Sequence, residues 1–305
     1  MSAKSQCDVE ESIKRCYSTW GMSYYQDYYG AEAPYPPVHL DLVKRLVNDF
    51  QAKRVLDAGC GPASMLRHLT ALDRDLYGFD LTPEMVAEAH RVLGEAGVPS
   101  SRIWEGSVTA AGDYVARGEQ RADYDCVLCC GVVPHVPEAA DAIVISNIRD
   151  ALVPGGHAVV EARNELFAMF TMNRYSHEFV LGKLLSTEFL KSHAGEESAG
   201  LDAALAQLAS MFRTDLPPIR KGNADEPGYD EVLSRGHNPL LLQRQFLEQG
   251  FRSAQIYYYH FHALPPMVAA HAPRLFREAS LAMETDPLDW RGLFMASAFF
   301  VVAQR

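Results

Sequence analysis

The chain has 305 residues, longer than one minimal domain core needs, so a core with an added lid or subdomain is expected. A hydrophobic content of 48% supplies a globular interior, and a formal net charge of −11 argues against nucleic acid as a partner, because phosphate contacts need a basic surface. No apolar run reaches the length of a membrane helix and the N-terminus lacks a signal-peptide core, which predicts a cytoplasmic protein with no membrane partner. The six cysteines show no disulfide framework. Cys126 and Cys129 have the C-x-x-C spacing but fall in a strand pattern, where they point to opposite faces, so they read as buried apolar thiols.

Residues 1–37 hold Trp20, Tyr24, Tyr25, Tyr28 and Tyr29 in a short span that reads as one or two helices, ended by Ala33-Pro34-Tyr35-Pro36-Pro37. Val38–Phe50 follows as a helix with Leu40, Leu42, Val43, Leu46 and Val47 on one face. Val55-Leu56-Asp57-Ala58-Gly59-Cys60-Gly61-Pro62-Ala63-Ser64 then reads as a buried strand, a glycine turn and a helix. Leu76-Tyr77-Gly78-Phe79-Asp80 is a second strand ending on a carboxylate. The glycines remove Cβ where backbone approaches a ligand. Asp80 lies about twenty residues past the turn, the separation of a carboxylate that accepts hydrogen bonds from ribose hydroxyls. Thr82-Pro83-Glu84 opens a helix, with Thr at the cap and Pro at the first helical position, which places Asp80 at a strand tip beside a helix start. Met85 suits packing on an adenine and core filling equally.

This arrangement suits an adenosine-containing cofactor, and two details choose between cofactor classes. A dinucleotide site uses G-x-G-x-x-G to seat a pyrophosphate on a helix N-terminus. Here the third small position is displaced, as Gly59-x-Gly61-x-Ala63-Ser64, and Asp57 stands ahead of the first glycine, where it repels phosphate and attracts a cation. The pattern resembles the first motif of the class I S-adenosylmethionine-dependent methyltransferases, D/E-x-G-x-G-x-G, with Ala63 in place of the last glycine. That cofactor carries a sulfonium and an amino group and no phosphate. Later segments are similar to the same family in order and spacing. Ser107 follows the strand Arg102–Gly106, where the family places a residue near the adenine. Tyr124–Cys130 is a fourth strand, continuously apolar after its start, and Gly131–Val136 is the loop at its tip. Leu152–Glu161 looks like a helix end, a Pro-Gly-Gly turn and a fifth strand, and Ala254–Phe261 and Ala296–Ala303 supply the last two strands. The correspondence covers residues 50–162 and 238–305.

The resemblance implies an α/β fold, with a doubly wound, mostly parallel seven-stranded sheet whose last strand is antiparallel. Residues 1–37 would form a helical lid, 38–162 the cofactor-binding core, 163–236 a helical substrate-recognition insertion after strand 5, and 237–305 the C-terminal part of the sheet. Within the insertion, Glu165–Leu190 and Leu201–Phe212 read as helices, with polar Lys191–Gly200 between them and a loop at Asp215–Gly228. The implied cofactor is S-adenosyl-L-methionine. Its expected contacts are Asp57, Ala58, Gly59 and Gly61 in the turn, and Asp80, Leu81 and Met85 at strand 2. Ser107, Val108, Cys130, Gly131 and the lid residue Tyr28 complete the set.

Methyl transfer is an in-line displacement, for which alignment supplies much of the catalysis. A hydroxyl nucleophile also needs a base. His135, His237 and Glu161 are the candidates. Tyr25, Tyr29, Arg163, Asn164 and His260 are the candidate substrate contacts, Arg163 for an acidic group. His260 and His262 share a strand face, but the surrounding Tyr257, Tyr258, Tyr259 and Phe261 read as a packed wall, and no metal is expected. The expected function is methyl transfer to a small molecule, on oxygen with a histidine base. N- or C-methylation and a non-catalytic S-adenosylmethionine-binding protein are the alternatives. Asp57, the displaced glycine and the lack of a Tyr-x-x-x-Lys pair oppose a nicotinamide oxidoreductase. A homodimer is compatible with this reading.

Overall fold

Apolar runs such as Cys126–Cys129, and the nearly apolar Val55–Ala58, can be buried only where helices cover both faces of a sheet. The computed structural model, which describes residues 6–20, 25, 29, 36–215 and 232–305, contains such a sheet. Its strands are β1 (Arg54–Ala58), β2 (Asp75–Asp80), β3 (Ile103–Glu105), β4 (Tyr124–Cys129), β5 (Leu152–Arg163), β6 (Ser253–Phe261) and β7 (Ala296–Gln304), in the order β3-β2-β1-β4-β5-β7-β6. The chain leaves β1 toward β2 and β3 on one side, then returns to lay β4 and β5 on the other. β1 and β4 therefore flank the switch point, outside whose carboxyl ends open α/β sheets bind ligands. Parallel register sets Asp57 beside both Gly78 and Leu128. The last strand runs antiparallel: Arg305 N–H donates to Gly156 O at 2.9 Å while Asn164 N–H donates to Ser297 O at 2.9 Å.

Among the helices that surround the sheet are α1 (Gln6–Trp20), α2 (Val38–Asp49), α3 (Pro83–Glu95), α4 (Asp141–Ala151) and α5 (Pro239–Glu248). Helix α2 buries the Leu40, Leu42, Val43, Leu46 and Val47 that its periodicity selects. Three local expectations differ. The glycine turn is followed not by an α-helix but by a run of turns and two short 3-10 segments, Leu66–His68 and Thr70–Leu72. Ala63, held at φ +58°, sits outside the right-handed region that a helix needs. The Pro154-Gly155-Gly156 turn lies inside β5, where the pairing to β4 jumps from Tyr124↔Leu152 to Cys126↔His157. A Cβ on Gly156 would meet three carbonyl oxygens at 3.0–3.1 Å, so only glycine lets the looped-out residues lie this close to β4.

The third difference lies in the region after β5, where Glu165–Leu190 is not one helix. Met172 at φ +56° stops the turn Ala168–Thr171. Asn173 then caps Arg174–Phe179, and Ser186 caps Thr187–Ala194, each through its side-chain oxygen. Lys191–Gly200, read as a polar break, is largely helical on both sides of Gly195, which has φ +51°. The helix Ser198–Ser210 buries none of its residues. A helix at Pro273–Met283, between β6 and β7, had no expectation. Tyr24, Tyr28, the segment 33–35 and most of the expected loop 215–228 fall outside the described residues.

The chain divides into two units: 1–163 with 219–257 and 299–305, and 164–218 with 258–298. In the second unit, Asn164 is a joint. Its side-chain oxygen accepts Leu166 N–H at 3.0 Å, and its amide donates to the carbonyls of Leu293 at 2.9 Å and Ala296 at 2.8 Å. Near the end of β6, His260 has φ +62°, and the Glu284 carboxylate accepts the N–H groups of His260 and Phe261. The strand ends at Phe261, so His262 lies beyond it, its ring 5.4 Å from that of His260. Among the described residues no group of three or more His, Cys, Asp or Glu side chains is arranged to hold a metal.

Removing the Asn164 amide strands buried carbonyls, so Asn164→Ala should cost about 1–3 kcal/mol in urea unfolding. A change within about 0.5 kcal/mol, the range of an inert surface substitution, would show that the joint carries no stability.

Candidate functional site

The turn after β1 is drawn against β2 by its own backbone: Gly59 N–H and Cys60 N–H both donate to Phe79 O, at 2.8 and 2.9 Å. Gly59 has φ +87°, and a Cβ there would sit 2.3 Å from Val132 Cγ2, so the loop after β4 can pass only over a glycine. Asp80 completes the junction. Its Oδ2 accepts Gly61 N–H at 2.8 Å and its Oδ1 accepts Thr82 N–H at 2.9 Å. Burial raises the Asp80 pKa, and these backbone donors pull against that shift.

Beneath the turn, Asp57 is 2% exposed, and its Oδ1 has no hydrogen-bond partner among the described residues. Burial first, then the charges of Asp80 and Glu161, push its pKa up to about 8. A carboxylate in this condition is an unmet demand for a cation.

Above these residues opens a cavity of about 980 Å³ of empty space, its mouth included. Asp57, Gly59, Gly61, Asp80, Leu81 and Met85 line one side. Ser107, Val108, Cys130 and Gly131 line another, and Tyr29 and His135 also reach it. Ala58 is buried in β1 and is not among the lining residues. Neither are Glu161 and Arg163, at the end of β5; the Arg163 guanidinium donates to Ser234 Oγ. Tyr25 turns to His68, with O–Nε2 at 2.9 Å, and its ring lies under the Arg67 guanidinium at 3.7 Å. Asn164 and His260 belong to the second unit and do not line the cavity.

His135 stands on the short turn after β4, 6% exposed, with both ring nitrogens engaged. Nδ1 lies 2.6 Å from Leu233 O. A carbonyl can only accept, so Nδ1 carries the hydrogen and Nε2 of the neutral ring accepts from Tyr17 Oη at 3.0 Å. Burial, assisted by Arg163, lowers its pKa to about 4, so the ring is neutral at physiological pH. His237 is arranged otherwise. It is buried, its ring nitrogens have no hydrogen-bond partner among the described residues, and Nε2 faces Asp141 Oδ2 at 3.8 Å, away from the lining residues.

Helix α1 contributes a wall that the aromatic stretch after it obscures in the sequence. Val9, Glu10, Ile13 and Tyr17 line the cavity. Ser107 Oγ and Thr109 Oγ1 donate to Glu10 Oε1 at 3.0 and 3.4 Å. The i, i+3, i+7 spacing of Glu10, Ile13 and Tyr17 was a usable signal for this face. A strap over 232–237 is tied to the loop after β4. Arg235 N–H donates to Pro134 O at 3.0 Å, and its guanidinium donates to Val136 O and pairs with Asp141. Val232 packs with Cys16 of α1.

Residues 55–156 match a family model described as a methyltransferase domain. The chain is similar to the ubiquinone biosynthesis O-methyltransferase of Xylella fastidiosa (strain M23), 29% identical over 145 residues, 48% of this chain and 55% of that one. It is also similar to the protein of the same name from Xanthomonas oryzae pv. oryzae (strain PXO99A), 31% identical over 144 residues, 47% of this chain and 56% of that one. The chain thus spans about half the length of the curated relatives it matches. The DhpI–SAH complex structure aligns with a TM-score of 0.52 at 14% identity over 98% of both chains, a likeness of fold.

Asp57 gives the ligand-free protein a definite pH signature. With a folded pKa of about 8 against an ordinary 3.8, the folded state holds a proton that the unfolded state loses, so this group's contribution falls as pH rises from 3.8 through about 8. Asp57→Asn should therefore gain stability relative to wild type as pH rises from 5 to 8, by on the order of a few kcal/mol at the upper end. Parallel thermal stability profiles for the two proteins would mean that Asp57 is solvated.

Proposed function

We propose that the chain is a class I S-adenosylmethionine-dependent methyltransferase that transfers a methyl group to a hydroxyl of a small molecule. The observation that carries this reading is the buried, unpartnered Asp57 oxygen on the cavity wall, joined to Asp80 across a turn that admits no side chain at Gly59. These residues suit the family's cofactor: a carboxylate for its cationic amino-acid end, a second carboxylate for ribose hydroxyls, and bare backbone where the ligand passes. When bound, the cofactor supplies an electrophilic methyl group on a positively charged sulfur.

The protein's part is to hold, align and exclude water. Asp57 meets the cation, and its proton leaves as it does so. Asp80 exchanges its bonds to Gly61 and Thr82, in whole or part, for the ribose. Leu81 and Met85 flank the adenosine portion, and Ser107, Val108, Cys130 and Gly131 close the other side. Tyr29 and the α1 face enclose the acceptor. His135 is preferred over His237 and Glu161 as the base because it alone of the three lines the cavity. The names of the relatives, both O-methyltransferases, support oxygen over nitrogen or carbon.

Calorimetric titration with S-adenosylmethionine, S-adenosylhomocysteine and NAD should show binding of the first two alone. Asp80→Ala should weaken that binding by about 1–3 kcal/mol, the worth of its lost hydrogen bonds. Unchanged affinity would remove Asp80 from the cofactor site, and binding of NAD alone would overturn the reading. Incubation with methyl-labelled cofactor and a panel of phenols, sugars and amines should label hydroxyls. Label on amines alone would make the protein an N-methyltransferase.

A further inference from the structure

We propose that Arg235 is a positioning residue: with Asp141 it clamps the strap 232–237 across the loop after β4, and so fixes which nitrogen of His135 carries the hydrogen. This rests on His135 serving as the base, because a neutral imidazole takes a proton only at the nitrogen that lacks one. Two groups meet the ring, and they are not equivalent. Tyr17 Oη, 3.0 Å from Nε2, is a hydroxyl that can donate or accept, so it suits either tautomer. Leu233 O, 2.6 Å from Nδ1, can only accept. It therefore places the hydrogen on Nδ1 and the lone pair on Nε2. Whatever holds Leu233 O in place holds the tautomer.

Leu233 belongs to no helix or strand, so its carbonyl is placed by the bonds of its neighbours. Those of Arg235 straddle the histidine. Its backbone N–H donates to Pro134 O at 3.0 Å and its Nε to Val136 O at 2.5 Å, on the residues either side of His135. A terminal nitrogen of the same guanidinium donates to Asp141 Oδ1. The two side chains are 18% and 7% exposed, so the pair is not of the weak surface kind. Asp141 is the first residue of α4, which ties the clamp to a helix rather than to loop alone. Two residues on, His237 N–H donates to Arg163 O at 2.8 Å and pins the strap to the end of β5. The work calls for arginine. Its planar fork serves a carbonyl and a carboxylate at once, whereas a lysine ammonium is a single point charge on a flexible stem.

The ¹⁵N spectrum of His135, recorded on the protein loaded with S-adenosylhomocysteine, separates a ring nitrogen that bears hydrogen from one that does not. The wild type at neutral pH should show hydrogen on Nδ1 and none on Nε2; the reverse would overturn the proposal before any substitution is made. Arg235→Lys keeps the charge and loses the fork, and it should move both resonances toward the average of the two tautomers. Arg235→Met/Asp141→Leu removes both charges together, so that neither is left buried alone and the fold is spared. It should move the resonances further. Val47→Ala, a core deletion on the buried face of α2, should leave them in place, which separates positioning from loss of stability. Wild-type resonances in both Arg235 variants would overturn the proposal. On the acceptor that the panel of phenols, sugars and amines labels, the double variant should lower kcat by about 10²-fold, the order that a small misplacement costs, with S-adenosylhomocysteine affinity unchanged. Unchanged kcat beside a slow His135→Ala would also overturn it. Full turnover in His135→Ala would instead sink His135 as the base, whatever its tautomer.

Discussion

A carboxylate withdrawn from water without a partner is the constraint around which the first unit is built. Asp57 sits near the end of β1, where the strands on either side fix its position and its Oδ1 has no hydrogen-bond partner among the described residues. Desolvation, with the charges of Asp80 and Glu161, raises its pKa to about 8, so it holds a proton that a neighbouring cation would displace. Gly59 leaves space for the β4 loop, Asp80 occupies the donors of the turn, and the charges of Asp80 and then Glu161 raise the Asp57 pKa further.

The second organising element is the enclosure around the β4 loop. Helix α1 reaches the core through Glu10 and Tyr17, and the strap 232–237 reaches it through Leu233 and Arg235. Neither belongs to the sheet, yet between them they fix the ring of His135. The sheet thus places the carboxylates of Asp57 and Asp80, whereas segments outside it set the tautomer and direction of the His135 ring. Such a separation lets the loops and helices around a sheet change while the sheet stays the same.

Much of this was legible in the sequence, for identifiable reasons. Apolar runs located the first, second and fourth strands, and the order and spacing of the family resemblance located the rest, because buried parallel strands leave mostly apolar runs. The spacing from Gly59 to Asp80 located a turn and a strand tip, since both are fixed by local backbone. Side-chain partners across long separations left no such trace. Nothing local shows that Arg163 donates to Ser234, that Asn164 spends its amide on Leu293 and Ala296, or that His237 faces Asp141. The region after β5 misled for a different reason. Its hydrophobic pattern continues through Met172 and Ser186, but a left-handed residue and side-chain caps cut the backbone there. Tyr17 was overshadowed by the denser aromatic run that follows it.

The ring of His135 has a history as well as a position. Its two bonds join it to residues 118 positions before it and 98 after it. Contacts of such separation form late, because a long loop must close before they are gained. The glycine turn and Asp80, by contrast, lie 19 residues apart. A chain emerging during synthesis can therefore shape the turn early, but it cannot set the imidazole until residue 233 has been made and folded back. The setting of this imidazole thus comes later than the shaping of the turn.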